Sequence, residues 1–287
     1  MAHLLQLNPL AASAPVSIES ASQKEARLLE QLRALGSVLV AYSGGTDSAY
    51  LAWAAHRALG PRSTAITALS ASYSAYDRER AEQFAAEAGF RHELIATAEL
   101  DNPLYVANGA DRCFHCKDEL FSQMDRIAAQ RSVAAVAYGI NLDDTRDFRP
   151  GHRAAAAHKV LAPLLDAALS KAEIRALAQR AGLTIWDRPA SACLSSRIPY
   201  GTAVTPEALA RVEAAEAILR ELGFRQFRVR YHEALARIEV DTAELARAQQ
   251  MQLATLVAPR FAPLGFSTVE LDLRGYRQGS LNEALAR

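Results

Sequence analysis

Apolar residues recur along the first two thirds of the chain in two rhythms. Leu28, Leu29, Leu32 and Leu35 keep the spacing of one helix face, and Gly36 supplies the stop. The compact apolar run 38–42 predicts a buried strand, and residues 49–55 predict a helix before the breaker Gly60-Pro61. Residues 64–69 predict a second buried strand. Asp77 predicts the cap of a helix running to Ala88, with Gly89 as its end. A third strand follows at 93–96, a helix at 118–130 and a fourth strand at 133–138. Ser170 and Glu173 spell a capping box for a helix that ends at Gly182. Strands alternating with helices form βαβ units. The expected class is therefore α/β, a Rossmann-like parallel sheet with helices on both faces, whose ligands bind beyond the carboxyl ends of the strands.

The pattern changes after Tyr200-Gly201. Thr205-Pro206 starts a helix, with Pro at the first helical position, and that helix runs to Leu222 and Gly223. Phe227, Val229 and Tyr231 then alternate with Arg228, Arg230 and His232, which predicts a half-buried strand with one basic face. Residues 235–240 and 267–273 predict further strands. The expected organisation is a flexible tail at 1–17, a nucleotide-binding domain at 18–201 and a smaller α+β domain at 202–287. There is no internal repeat and no low-complexity tract.

Composition narrows the class. A chain of 287 residues, half of them hydrophobic, can bury a sizeable core and is neither disordered nor fibrous. No apolar run reaches the roughly 18 residues a membrane span requires. The start lacks a basic region ahead of an apolar core, so a cytoplasmic protein is expected. The 32 basic and 32 acidic residues cancel, which argues against bulk nucleic-acid binding. The basic residues are nearly all arginine, which suits discrete anion contacts.

The candidate chemistry begins at Ser43-Gly44-Gly45-Thr46-Asp47-Ser48, between the first strand and its helix. Two glycines let the backbone approach an anion closely, and the following helix offers unpaired N–H groups and its positive dipole end. Ser43 and Ser48 add hydroxyls. Asp47 alone would repel phosphate, but a bridging Mg²⁺ takes carboxylate and phosphate oxygens together. The other reading is an ordinary tight turn between strand and helix. The loop lacks the Gly-Lys-Ser/Thr of a Walker P-loop, so γ-phosphate transfer is not expected.

Three cysteines form the second constellation: Cys113 and Cys116 in a C-x-x-C pair, and Cys193 far along the chain. In a cytoplasmic protein this pattern suggests metal or redox chemistry rather than a disulfide. Three thiolates leave one position open on a cubane iron–sulfur cluster, where an exogenous sulfide can sit. Zinc with His115 as fourth ligand, or three unlinked thiols, are the alternatives.

The hexapeptide resembles the pyrophosphate loop of the ATP pyrophosphatase superfamily. The loop, Arg112-Cys-Phe-His-Cys-Lys117, Gly139-Ile-Asn-Leu-Asp-Asp144, Asp147-Phe-Arg-Pro-Gly151 and, most specifically, Asp187-Arg-Pro-Ala-Ser-Ala-Cys-Leu-Ser-Ser-Arg-Ile-Pro-Tyr-Gly201 together resemble the LarE family of ATP-dependent sulfur transferases of nickel-pincer nucleotide biosynthesis. The resemblance spans roughly residues 37–240, in consistent order. It implies an adenine nucleotide alpha hydrolase-like fold, ATP and Mg²⁺ as cofactors, and pyridinium-3,5-biscarboxylic acid mononucleotide as the small-molecule substrate. A carboxylate of that substrate would be adenylated and converted to a thiocarboxylate. Cys193 falls on the family's sulfur-donor cysteine, which in sacrificial members becomes dehydroalanine. In other members three cysteines hold a [4Fe-4S] cluster, here Cys113, Cys116 and Cys193. Some members assemble into rings, so a homo-oligomer is expected.

The remaining assignments rest on residue chemistry and fold analogy. Ser43, Gly44, Gly45 and Ser48 hold pyrophosphate, and Asp47 organises Mg²⁺. Ser70 meets adenine through its backbone. Arg197 lowers the Cys193 pKa or holds the substrate carboxylate, unless it is a surface ion pair. Arg228 and Arg230 bind the substrate phosphate, unless they form a solvated strand face. Asp143 and Asp144 bind Mg²⁺ or serve as turn residues. Glu216 is a substrate candidate, while Glu213 reads as a solvated helix charge. Rival functions are a tRNA 2-thiolation enzyme, which needs a basic surface; an ammonia-dependent amide synthase, which leaves the cysteines unexplained; and a nucleotide-binding regulatory module.

Overall fold

A computed structural model describes residues 17–146, 151–277 and 279. Residues 1–16 of the expected tail, and residues 147–150 of the Asp147–Gly151 segment, lie outside the described residues. The first half contains α1 (Ile18–Leu35), β1 (Val38–Ala41), α2 (Thr46–Leu59), β2 (Ser63–Leu69), α3 (Ala75–Ala88) and β3 (His92–Ala96). It continues through α4 (Pro103–Val106), α5 (Arg112–Arg131), β4 (Ala135–Tyr138), α6 (Gly151–Ala157), α7 (Pro163–Asp166) and α8 (Lys171–Arg180). After a 3₁₀ turn at Leu194–Arg197 come α9 (Pro206–Glu221), β5 (Phe227–His232), β6 (Leu235–Val240), α10 (Leu245–Gln250), α11 (Leu253–Phe261) and β7 (Thr268–Leu271).

The first sheet has the order β3-β2-β1-β4 and is parallel throughout. Side chains alternate across a strand, and β1 shows the consequence. Val38 and Val40 join the core formed with α1, α2 and α8, while Leu39 joins the core formed with α5 and α6 on the other face. A strand buried on both sides reads as one continuous apolar run. The second sheet, β5-β6-β7, pairs β5 with β6 antiparallel and β6 with β7 parallel, and packs on α9, α10 and α11.

Local signals explain where elements begin. Ser74, not Asp77, caps α3: its Oγ accepts from the Asp77 N–H at 3.0 Å, while Asp77 returns a carboxylate to the Ser74 hydroxyl at 2.8 Å. The capping box of Ser170 and Glu173 is formed as read. Helix α5 begins six residues ahead of the expected 118, with Arg112, Cys113, Phe114 and His115 forming its first turn. That shift puts both C-x-x-C cysteines on a helix. On the basic face of β5, Arg228 and Arg230 are buried, because residues 190–196 cross them and accept from their guanidinium groups, while His232 at the strand end is exposed.

Candidate functional site

The glycine loop follows β1, whose path is fixed by the Tyr42 N–H donating to Ile66 O at 2.8 Å. Gly44 takes φ +76°, and a Cβ there would lie 3.0 Å from Ala81 Cβ. Gly45 is the N-cap of α2, and no side chain among the described residues caps that helix. Its first-turn amides are of the kind that hold anions. The loop closes on itself: Ser43 N–H donates to Ser48 Oγ at 3.2 Å, the two hydroxyl oxygens lie 3.1 Å apart, and the Ser48 hydroxyl donates to Gly45 O at 3.0 Å. From below, Gly139 at the end of β4 presses against the helix start. A Cβ on Gly139 would stand 2.7 Å from Ser48 N. The Arg188 guanidinium donates to Gly44 O and spans the loop from the other side.

Asp47, second in α2, has two different oxygens. Oδ2 accepts from Lys171 Nζ at 2.6 Å, whereas Oδ1 is buried without a hydrogen-bond partner among the described residues. Burial pushes its carboxyl above the usual range, against the pull of Lys171 and with Asp144 adding to the push. An orphaned hard oxygen beside an anion loop fits Mg²⁺. Asp144 accepts from Asn141 N–H at 3.1 Å, and Asp143 accepts from the Lys171 N–H at 2.7 Å. Asp144 therefore shapes the turn after β4, and Asp143 ties that turn to the start of α8. The Ser70 hydroxyl is taken up by Ser72, with the two oxygens 2.9 Å apart.

The first turn of α5 carries Cys113 and Cys116 three residues apart, hence on neighbouring positions of one face. Cys193 precedes the 3₁₀ turn, and its neighbour Leu194 donates to Ser72 O at 2.8 Å. That bond ties the third cysteine to the carboxyl end of β2. The Tyr105 and Ser195 hydroxyls meet at 2.6 Å. Burial pushes the Cys116 thiol up, and Cys193, Glu99 and Cys113 add to it, so the three thiols influence one another. Buried Arg112 sits among them. It donates to Asn108 Oδ1 and Ser195 O, at 2.6 and 2.8 Å, and one of its nitrogens lies 4.0 Å from Cys113 Sγ. His115 turns to Asp111 at 3.3 Å instead. No three His, Cys, Asp or Glu side chains among the described residues are grouped to hold a single ion. Three soft thiols near a buried guanidinium nonetheless suit a larger iron–sulfur group.

A cleft of about 370 Å³ opens between the loop and the second sheet, lined by Ser43, Gly44, Asp77, Arg188, Arg197 and Arg228 among others. Arg197 is buried and forks onto Glu216 at 2.8 and 3.0 Å, while another of its nitrogens donates to Cys193 O at 3.0 Å. This pair locks the Cys193 turn to α9. Burial alone would raise the Glu216 carboxyl, but Arg197, Arg228 and the Val229 N–H hold it below the usual range. Arg230 pairs with Glu239 at 2.7 Å and donates to Ser196 O. Arg228 donates to the carbonyls of Phe227 and Ala190 at 2.6 and 2.7 Å. Burial chiefly, then Arg197, pulls its pKa down to about 10, so it stays cationic at neutral pH. Among the described residues it forms no carboxylate ion pair. Glu213 is not an idle surface charge, since it accepts from the Ala75 N–H at 2.6 Å and joins α9 to the start of α3.

Reading by residue type missed Lys171, Arg112, Arg188 and Gly139. Arg112 and Arg188 lay inside noticed motifs, but nothing in one sequence separates a buried arginine from a surface one. Lys171 had no local signal.

A parallel sheet with this loop at the carboxyl end of β1 defines a Rossmann-like α/β protein of the pyrophosphate-loop class. No protein-family model matches the chain. It is 43% identical over 264 residues to an uncharacterised protein of Synechocystis sp. (strain ATCC 27184 / PCC 6803 / Kazusa), covering 90% of this chain and 98% of the relative. It is 36% identical over 265 residues, 92% of this chain and 95% of the relative, to the pyridinium-3,5-bisthiocarboxylic acid mononucleotide synthase of Lactiplantibacillus plantarum. An uncharacterised protein of Methanocaldococcus jannaschii is 27% identical over 174 residues, 60% of this chain and 66% of its own. The chain belongs to the LarE family, to which that synthase belongs.

Proposed function

We propose that this chain is an ATP-dependent sulfur transferase acting on pyridinium-3,5-biscarboxylic acid mononucleotide. A carboxylate of the substrate attacks the α-phosphorus of ATP, the bond to the β-phosphate breaks, and pyrophosphate leaves toward the Ser43–Ser48 loop. The resulting acyl adenylate has AMP as a good leaving group. Sulfur then attacks the acyl carbon and displaces AMP: a sulfide delivered from a cluster would give the thiocarboxylate directly, whereas the Cys193 thiolate would give a thioester, from which loss of the Cys193 Cα proton and cleavage of its Cβ–Sγ bond release the thiocarboxylate and leave dehydroalanine in the chain. Ser43, Gly44, Gly45 and Ser48 hold the phosphates, where preorganised donors stabilise the developing charge. Ser70 borders the adenine. Asp47 holds Mg²⁺, which when bound neutralises phosphate charge.

The observation that carries this reading is the meeting of two motifs at the carboxyl end of one sheet. The loop leaves β1, and the Cys193 turn is hydrogen-bonded to Ser72 just beyond the neighbouring β2. Arg228, a buried cation whose partners among the described residues are carbonyls and an aromatic ring, is the first candidate for the substrate phosphate. Arg230 stands beside it. Arg197 and Glu216 position the Cys193 turn rather than offering a free group. Cys113, Cys116 and Cys193 together would hold a [4Fe-4S] cluster, which when bound supplies an iron position open to sulfide. The ATP half comprises residues 18–201 and the substrate and assembly half 202–287. The same reading makes the protein a cytoplasmic homo-oligomer without a nucleic-acid partner. Incubating the purified chain with ATP, Mg²⁺ and the dicarboxylate tests it: AMP and pyrophosphate should appear only when both substrates are present. Salt-sensitive tRNA binding with no dicarboxylate turnover would overturn it in favour of a tRNA thiolase.

A further inference from the structure

Lys171 is the first residue of α8, and its Nζ lies 2.6 Å from Asp47 Oδ2, a pairing across 124 positions of sequence. Its backbone does not move easily. The N–H is held by Asp143 at 2.7 Å, and the capping box of Ser170 and Glu173 fixes the helix start around it. The side chain is about a third exposed, at 35%, so it has room to turn. Lys171 and the nearby Asn141 side chain only partly satisfy Asp47. Its Oδ1 is buried without a partner among the described residues, and Asp144 opposes its charge. A buried carboxylate with a vacant oxygen is costly unless a further ligand completes it. The residue type is informative too. Only four of the 32 basic residues are lysines. A compact ammonium on a flexible stem can change partners, whereas a guanidinium fork suits a fixed pair.

We propose that Lys171 is a phosphate ligand parked on Asp47. When a divalent cation entering with ATP claims the Asp47 carboxylate, the ammonium passes to the β,γ end of the nucleotide and stays with pyrophosphate as it departs. In the nucleotide-free chain the same ammonium keeps Asp47 from standing charged and alone. The proposal rests on the ATP reading above and adds a residue to it.

The test is calorimetric titration of the full chain with pyrophosphate, ATP and AMP, in the presence of Mg²⁺, for wild type, Lys171→Met and Lys171→Arg. Losing a charge-assisted contact should weaken pyrophosphate and ATP by roughly tenfold or more in Lys171→Met. AMP, which lacks the β,γ end, should change less than about twofold. Mg²⁺ alone should bind the Met variant more tightly than wild type, since it no longer competes with the ammonium. Lys171→Arg keeps the charge but pairs more firmly with Asp47, so it should recover only part of the pyrophosphate affinity. If Lys171→Met keeps wild-type pyrophosphate affinity, or loses AMP and ATP equally, Lys171 is only a structural partner of Asp47 and the proposal fails while the ATP reading stands. If wild type binds neither ATP nor pyrophosphate, the ATP reading fails and takes this one with it.

Discussion

Single atoms decide much at this site. Gly139 has no room for a side chain, because a Cβ would stand 2.7 Å from a backbone nitrogen of the loop helix. Gly139→Ala should therefore displace the loop and weaken ATP binding by about tenfold or more, as read by calorimetry, with a loss of stability of roughly 1–3 kcal/mol. An unchanged ATP affinity would show that the loop is not held from below. Glu216 poses a different test. Glu216→Gln leaves Arg197 buried without its counter-charge, which should cost about 3–5 kcal/mol in urea unfolding at pH 7. The sign with pH follows from its depressed carboxyl. The stabilisation is present above the unfolded glutamate value of about 4.3 and is lost as pH falls through the lower folded value. The gap between wild type and Glu216→Gln should narrow in acid; a constant gap would mean the ion pair is not its source. These residues differ in legibility. The sequence around Gly139 and Glu216 showed a motif and a helix charge, but a close approach and a buried pairing are made by segments distant along the chain.

At the scale of elements, the strands and most helices follow from local patterns. The run 38–42 is apolar because β1 is covered on both faces, and the alternation in β5 is real even though both of its faces are covered. The starts of α3 and α5 were less readable. Ser74 and Asp77 are both good capping types three residues apart, and the structure assigns the cap to Ser74. Ser74→Ala should therefore cost about 1 kcal/mol, measurable by urea unfolding, and more than a change at an exposed mid-helix position such as Glu79. An effect no larger than at Glu79 would return the cap to Asp77. The start of α5 has consequences beyond stability, since it places Cys113 and Cys116 on a rigid turn rather than a loose loop.

The whole molecule brings two motifs to the carboxyl end of one sheet: the glycine loop after β1, and a cysteine turn tethered beyond β2 and braced to α9 by Arg197 and Glu216. The α/β class was legible from alternation, and the loop and cysteines from their motifs. Their meeting was not, because it depends on strand order and on Leu194, Ser72 and Arg197 contacts between distant segments. If the cysteines act as one set, Cys113→Ser, Cys116→Ser and Cys193→Ser, each purified without oxygen, should all lose most of their iron and acid-labile sulfide. Retention of full iron by any one would remove that cysteine from the set. The central claim is tested most directly by anaerobic turnover with ATP and the pyridinium dicarboxylate mononucleotide, following the product and the mass of the chain together. Formation of the thiocarboxylate with AMP and pyrophosphate is predicted for wild type and not for Cys193→Ala. An unchanged chain mass with bound iron and sulfide would place the sulfur on a cluster, and a loss of about 34 Da, as H₂S, would place it on Cys193 itself. Full thiocarboxylate formation by Cys193→Ala, or none by wild type, would contradict the account.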